Sequence, residues 1–227
     1  MMKGCWILLV VIIGTSASAA QAKPTTDLEK TSYSLGVDIG KSFKMQGAPI
    51  DPDILAQGLK DALADRALAM SDSSMEACVM QFQQALASRQ SERAAIASSE
   101  NRKEGEAFLA ENKKKAGVVS LPSGLQYRIV KEGTGATPKA TDQVTVHYKG
   151  TLINGKKFDS SYDRNEPATF RLNQVIKGWT EGVQLMNVGS KFEFFIPSDL
   201  AYGDRQMGAD IPPGSLLIFE VELIGVK

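Results

Sequence analysis

Histidine occurs once in the sequence, at His147, and cysteine twice, at Cys5 and Cys78. A single histidine leaves no basis for a histidine-rich metal site or a histidine-based catalytic triad. Lys+Arg and Asp+Glu each number 26, and this balance gives no electrostatic case for a nucleic-acid partner. The one long apolar run, Trp6 to Ile13, is too short for a permanent membrane span. Gly133-Thr-Gly135 lacks the helix that a phosphate loop needs, so no nucleotide is expected. The Lys113-Lys-Lys115 cluster reads as a helix C-terminus complementing its dipole. No metal and no cofactor is anticipated.

The N-terminus carries Lys3, the apolar run, and then small residues ending in Ala20-Gln21-Ala22, the pattern of a secretory signal peptide cleaved after Ala22. Cys5 precedes the run, outside a lipid-attachment context. The expected mature chain, 23–227, has 25 basic side chains against 26 acidic ones, because the leader contributes only Lys3. It retains only Cys78, so no internal disulfide can form and the core alone must hold the fold. Cys78 is read as a small buried apolar residue, the alternative being an intersubunit disulfide.

Glycine and proline divide the chain in two. From Leu59 to Glu104 there is neither, whereas 117–227 holds 13 of the 20 glycines and six of the nine prolines. Both residues are costly inside helices and mark turns, so the first half is helical and the second turn-rich. Thr26 is a candidate N-cap for a helix carrying Leu28, Leu35, Ile39 and Phe43 and ended by Gly47. Asp51-Pro52 starts a second helix, with Ile54, Leu55, Leu59 and Leu63 on one face. Ser73-x-x-Glu76 opens a third, whose apolar stripe of Met75, Val79, Phe82 and Leu86 fades beyond Leu86. A helix polar all round is expected to bridge domains through solvent, with Gly105 as its weak point. So small a helical core calls for a partner chain, and a homodimer is the expected remedy. The methionines Met45, Met70, Met75 and Met80 would suit that interface.

In the second half, strands are expected over 124–130, 144–152, 169–172, 192–196 and 216–224, with one helix over 175–186. Along 144–152 the alternation turns Tyr148 inward and His147 outward. Asn154-Gly155 predicts a tight hairpin leading to Phe158-Asp159. Several strands around one short helix make an α+β domain whose curved antiparallel sheet wraps that helix. Its aromatic and aliphatic set, Tyr148, Phe158, Phe170, Val175, Ile176, Trp179, Tyr202, Ile211 and Phe219, reads as a concave apolar pocket with one nearby carboxylate, Asp159. Taken singly, Asp159 reads equally as an exposed turn acid and Trp179 as plain core.

The runs Val144-Thr-Val-His-Tyr-Lys-Gly150, Asn154-Gly-Lys-Lys-Phe-Asp-Ser160, Val175-Ile-Lys-Gly-Trp179, Ala201-Tyr-Gly203, Ile211-Pro-Pro213 and Leu217-Ile-Phe-Glu-Val-Glu-Leu223 resemble FKBP-type peptidyl-prolyl cis/trans isomerases. Upstream, 104–112 and 121–127 resemble the exported, macrophage infectivity potentiator-like (Mip-like) branch. With the signal peptide at 1–22, the resemblance implies that 23–71 is a helical dimerisation domain, 72–117 a long connecting helix and 118–227 the catalytic domain. It implies Trp179 as pocket floor, walls at Tyr148, Phe158, Phe170, Val175, Ile176, Ile211 and Phe219, and polar contacts from Asp159, the Ile176 N–H and the Tyr202 hydroxyl. X-Pro polypeptides would be substrates and macrolides inhibitors. The location would be the periplasm, with outer-membrane, cell-surface or host-surface association as further options. One departure is Met207, where many members carry a ring-bearing residue, in a loop charged by Asp204, Arg205 and Asp210.

Asp159 would either meet the twisting carbonyl carbon or hold other pocket groups by hydrogen bonds, and the second is preferred. A rival reading makes the dimer a chaperone clamp for partly folded chains, with isomerisation incidental. A third makes it an adaptor that binds a surface or host protein through the pocket rim.

Overall fold

The computed structural model describes residues 23–227; the signal-peptide expectation and Cys5 lie outside them. The described residues form two compact units, one ending at Ser71 and the other Asp72–Lys227.

The first unit holds α1 (Asp27–Gln46) and α2 (Pro52–Leu63). Thr26 closes a reciprocal capping box with Glu29, and Gly47 ends α1 in the left-handed conformation at φ 63°. Asp51 caps α2 by accepting from the Asp53 and Ile54 N–H groups, with Pro52 at the first helical position. Neither helix contains a buried residue. Leu28, Leu35, Ile39, Ile54, Leu59 and Leu63 are all exposed, so the apolar faces expected from the sequence exist and are uncovered among the described residues.

The second unit begins with α3 (Asp72–Asn112), 41 residues long. It starts one residue ahead of the Ser73-x-x-Glu76 pattern. Cys78 near this end is exposed, which corrects the expectation of a buried core residue. The adjacent Val79 and Met80 are exposed too.

The other end of α3 corrects a second expectation. Ser98, Gly105 and Asn112, seven residues apart, form a buried seam against the sheet domain, so this stretch docks instead of crossing solvent. A Cβ on Gly105 would sit 3.2 Å from the Leu216 Cβ, so glycine here permits close approach. Below it, Asn112 Nδ2 donates to Gln126 Oε1 at 3.0 Å, and Gln126 Nε2 donates to the Leu109 carbonyl. Phe108 packs on Phe195 with ring centroids 5.8 Å apart.

The strands are β1 (Val118–Ser120), β2 (Gln126–Lys131), β3 (Gln143–Leu152), β4 (Lys157–Ser160), β5 (Ala168–Arg171), β6 (Lys191–Ile196) and β7 (Leu217–Val226). They form one antiparallel sheet in the order β1-β2-β6-β7-β3-β4, with β5 also on β3. The short β1 was not anticipated. Gly124, expected within the first strand, stands in the turn before β2 at φ 91°. Val144, Val146, Tyr148 and Leu152 of β3 and Leu217, Phe219, Val221 and Leu223 of β7 point into the core, as the period-2 pattern requires.

The single helix of the domain, α4 (Lys177–Val183), is shorter than expected. A 3-10 turn over Leu172–Gln174 precedes it, and tight bonds from Leu185 N to Gly182 O and Met186 N to Val183 O close its far end. Gly178 and Gly182 lie so near Ile196 and Phe194 that a Cβ would approach within 2.5 and 2.7 Å. The helix therefore rides directly on the sheet.

Candidate active site

The pocket is built outward from β3. Tyr148 projects inward between Trp179 of α4, Phe170 of β5 and Phe219 of β7, with ring centroids 5.3, 6.0 and 6.3 Å away. Trp179 meets Phe170 and Phe219 edge-on at 5.7 and 5.3 Å, and Phe158 of β4 meets Phe219 edge-on at 5.4 Å. These geometries match the ring quadrupoles and hold each ring against its neighbours. Gly150 makes the closest approach possible, since a Cβ there would fall 2.6 Å from the Phe158 ring.

All ten residues expected from the sequence, Tyr148, Phe158, Asp159, Phe170, Val175, Ile176, Trp179, Tyr202, Ile211 and Phe219, line one open cavity of about 740 Å³. That volume lies within the range of sites for drug-sized ligands. Trp179 is buried, and its indole N–H has no hydrogen-bond partner among the described residues. Ile176 is the residue before the first turn of α4, which has no side-chain cap. The Tyr202 hydroxyl likewise has no hydrogen bond among the described residues. Burial, followed by the nearby Asp159 charge, raises its pKa, so it stays a neutral donor.

Asp159 is fully engaged. The Tyr148 hydroxyl donates to its Oδ2, and Arg164 Nη1 donates to its Oδ1 at 2.8 Å. Arg164 Nη2 also reaches the Tyr148 hydroxyl at 3.1 Å, closing a three-membered network. Burial pushes the Asp159 carboxyl up, but the bonds from Tyr148 and Arg164 and the guanidinium charge together hold it below its ordinary value. Tyr148 is raised by burial first and by Asp159 second. Ion pair and hydroxyl are thus locked in their charged and neutral forms at neutral pH.

Arg164 is the functional residue that sequence reasoning missed. Its only signal is its position five residues beyond Asp159, in a turn where Asn165 takes a left-handed φ of 52°. Gln174, Lys177, Arg205, Met207 and Asp210 also line the cavity. The loop charges divide in use. Asp210 pairs with Lys156 at 2.9 Å, whereas Asp204 pairs with Arg102 of α3 at 2.9 Å. His147 stands outside the pocket, as the alternation predicted, stacked on Tyr162 at 4.7 Å and bonded through Nδ1 to Ser161 at 2.9 Å.

A cavity of rings whose two acids, Asp159 and Asp210, are both already paired suits holding an apolar group. Residues 135–224 match the family model for FKBP-type peptidyl-prolyl cis-trans isomerase, and residues 28–129 match that for the domain amino-terminal to it. The chain is 46% identical to "Outer membrane protein MIP" of Legionella longbeachae, over 97% of each chain. It is also 46% identical to the FKBP-type isomerase FkpA of Aeromonas hydrophila, over 93% of this chain and 81% of that one. The crystal structure of FkpA from Escherichia coli superposes with a TM-score of 0.73 at 40% identity, covering 89% of this chain and 98% of that one.

Proposed function

The chain belongs to the FKBP-type peptidyl-prolyl cis-trans isomerases, and we propose that the ring-lined cavity performs the reaction by desolvation and orientation, without a covalent intermediate. The X-Pro amide resists rotation by about 18–20 kcal/mol and, left alone, relaxes over roughly tens to hundreds of seconds. As it twists it loses resonance, so its carbonyl becomes less polar and its nitrogen more amine-like. A site that strips water from the amide favours the twisted form over the planar one, which is differential binding of the transition state.

In this reading the prolyl ring sits on Trp179, walled by Tyr148, Phe158, Phe170, Val175, Ile211 and Phe219. The Ile176 N–H and the Tyr202 hydroxyl orient flanking carbonyls. Asp159 acts by holding Tyr148 and Arg164 in place. The observation that carries this role is that both its oxygens are already bonded, to Tyr148 and to Arg164. Macrolides that present a proline-like ring would compete for the same cavity.

The test is cis/trans exchange in a short X-Pro peptide, read for the unmodified chain beside Asp159→Ala and Tyr202→Phe. Slower exchange in both variants supports the assignment. Wild-type rates in both would remove these two residues from the mechanism.

We further propose that the exposed apolar faces of α1 and α2 pair with those of a second copy, since Leu35, Ile39, Leu59 and Leu63 have no cover among the described residues. Two pockets in one assembly would add avidity for extended clients, the chaperone-clamp reading, which suppression of aggregation of a proline-free client would support. Lys3, the short apolar run and the small residues to Ala22 support export to the periplasm. No helix among the described residues is long and apolar enough to cross a membrane.

A further inference from the structure

One turn of α3 grips both ends of the loop that carries Tyr202. Arg102 Nη1 donates to Asp199 Oδ1 at 2.7 Å, and its Nε donates to Asp204 Oδ1 at 3.0 Å. The two carboxylates lie three residues before Tyr202 and two after it, so a single guanidinium straddles the tyrosine. Ser98 Oγ adds a second bond to Asp204 at 2.5 Å. The returning end of the loop is held by the same turn, where Asn101 Nδ2 donates to the Pro213 carbonyl at 2.8 Å. Gly214 lies so close that a Cβ would fall 2.4 Å from the Ser98 carbonyl. Gly214 N in turn donates to the Gly203 carbonyl at 2.8 Å, tying the two ends together beside Tyr202.

The Tyr202 hydroxyl has no hydrogen bond among the described residues, so its place is set by the loop backbone and by the packing of its ring against the core. We propose that Arg102 is a positioning residue of the isomerase, pinning the flanks of the Tyr202 loop to α3 so that the hydroxyl stands where substrate needs it. The working catalytic unit then includes the α3 turn 98–102 as well as the sheet. The proposal rests on the reading of Tyr202 as a substrate contact.

Arginine is required because its planar fork reaches two carboxylates at once, which a lysine ammonium on a flexible stem does less well. The guanidinium side chain is 30% exposed while Asp199 and Asp204 are 75% and 71% exposed, so the pairs are open to salt.

The experiment uses the full mature chain and an X-Pro peptide, with Arg102→Met and Arg102→Lys each made alone and in Tyr202→Phe. Misplacement of a contact by a fraction of an ångström costs roughly threefold to tenfold in kcat/KM, the loss expected for Arg102→Met, with partial rescue by lysine. In the Tyr202→Phe background Arg102→Met should cost nothing further, because the group it positions is gone. Raising salt to about 1 M should lower kcat/KM of the unmodified chain and leave Arg102→Met unchanged. Asp199→Asn with Asp204→Asn, which preserves volume, should reproduce the Arg102→Met effect if that variant folds poorly.

An unaffected rate in Arg102→Met, or an equal loss in both backgrounds, overturns the proposal while leaving Tyr202 in the mechanism. A wild-type rate in Tyr202→Phe alone removes the Tyr202 reading and the clamp's catalytic role with it.

Discussion

Tyr148 and Asp159 are joined hydroxyl to carboxylate between neighbouring strands β3 and β4, and Arg164 bonds to both. This makes one polar corner of the ring-lined pocket a closed network. Its members are worth more together than separately.

The network dictates a pH dependence. The folded Asp159 carboxyl is held below its ordinary value, so its stabilisation is complete above the unfolded pKa of about 3.9 and is lost as pH falls through the lower folded value. Asp159→Asn should therefore melt below the unmodified chain at pH 7, by about 1 kcal/mol or less because the pair is partly solvent-screened. The gap should close in acid. Parallel melting curves from neutral pH to about pH 3 would contradict the assigned direction.

Gly150→Ala should destabilise the C-terminal unit by about 1–3 kcal/mol, because the new Cβ meets both the Phe158 and Phe219 rings. The same displacement should lower kcat/KM. Thermal unfolding and peptide exchange read the two effects, and unchanged activity at lowered stability would mean the rings relax without opening the pocket.

In a chain beginning at residue 23, Trp179 is the sole tryptophan, since the other is Trp6. Its burial predicts blue-shifted emission, and an occupant of the cavity should change the intensity. Titration with a proline peptide or a macrolide checks this. A saturating competitive ligand that leaves the emission unaltered would place the prolyl site away from Trp179.

Leu35→Glu with Leu59→Glu introduces charge on the uncovered faces of α1 and α2. The unmodified chain should sediment as a dimer and the variant as a monomer. Turnover of a short peptide should be the same in both, since the cavity belongs to the other unit. A monomeric unmodified chain would withdraw the pairing.

Much of the site was readable because it obeys short-range rules. Alternation along β3 separates Tyr148 from His147, Thr26 and Asp51 cap as their side chains allow, and Asn154-Gly155 sets the turn before Asp159. Arg164 follows no such rule, because its contact depends on a turn that folds back through Asn165.

The amino-acid order by itself determined the helical and turn-rich halves, the inward face of β3 and the rings available for a pocket, since periodicity and turn chemistry act within a few residues. Only the tertiary structure decided that Ser98, Gly105 and Asn112 form a buried seam and that Arg102 reaches Asp199 and Asp204. Small and polar residues contribute close approach and hydrogen bonding instead of hydrophobic burial. Such contributions have no counterpart in an apolar pattern and exist only once a distant segment lies beside them.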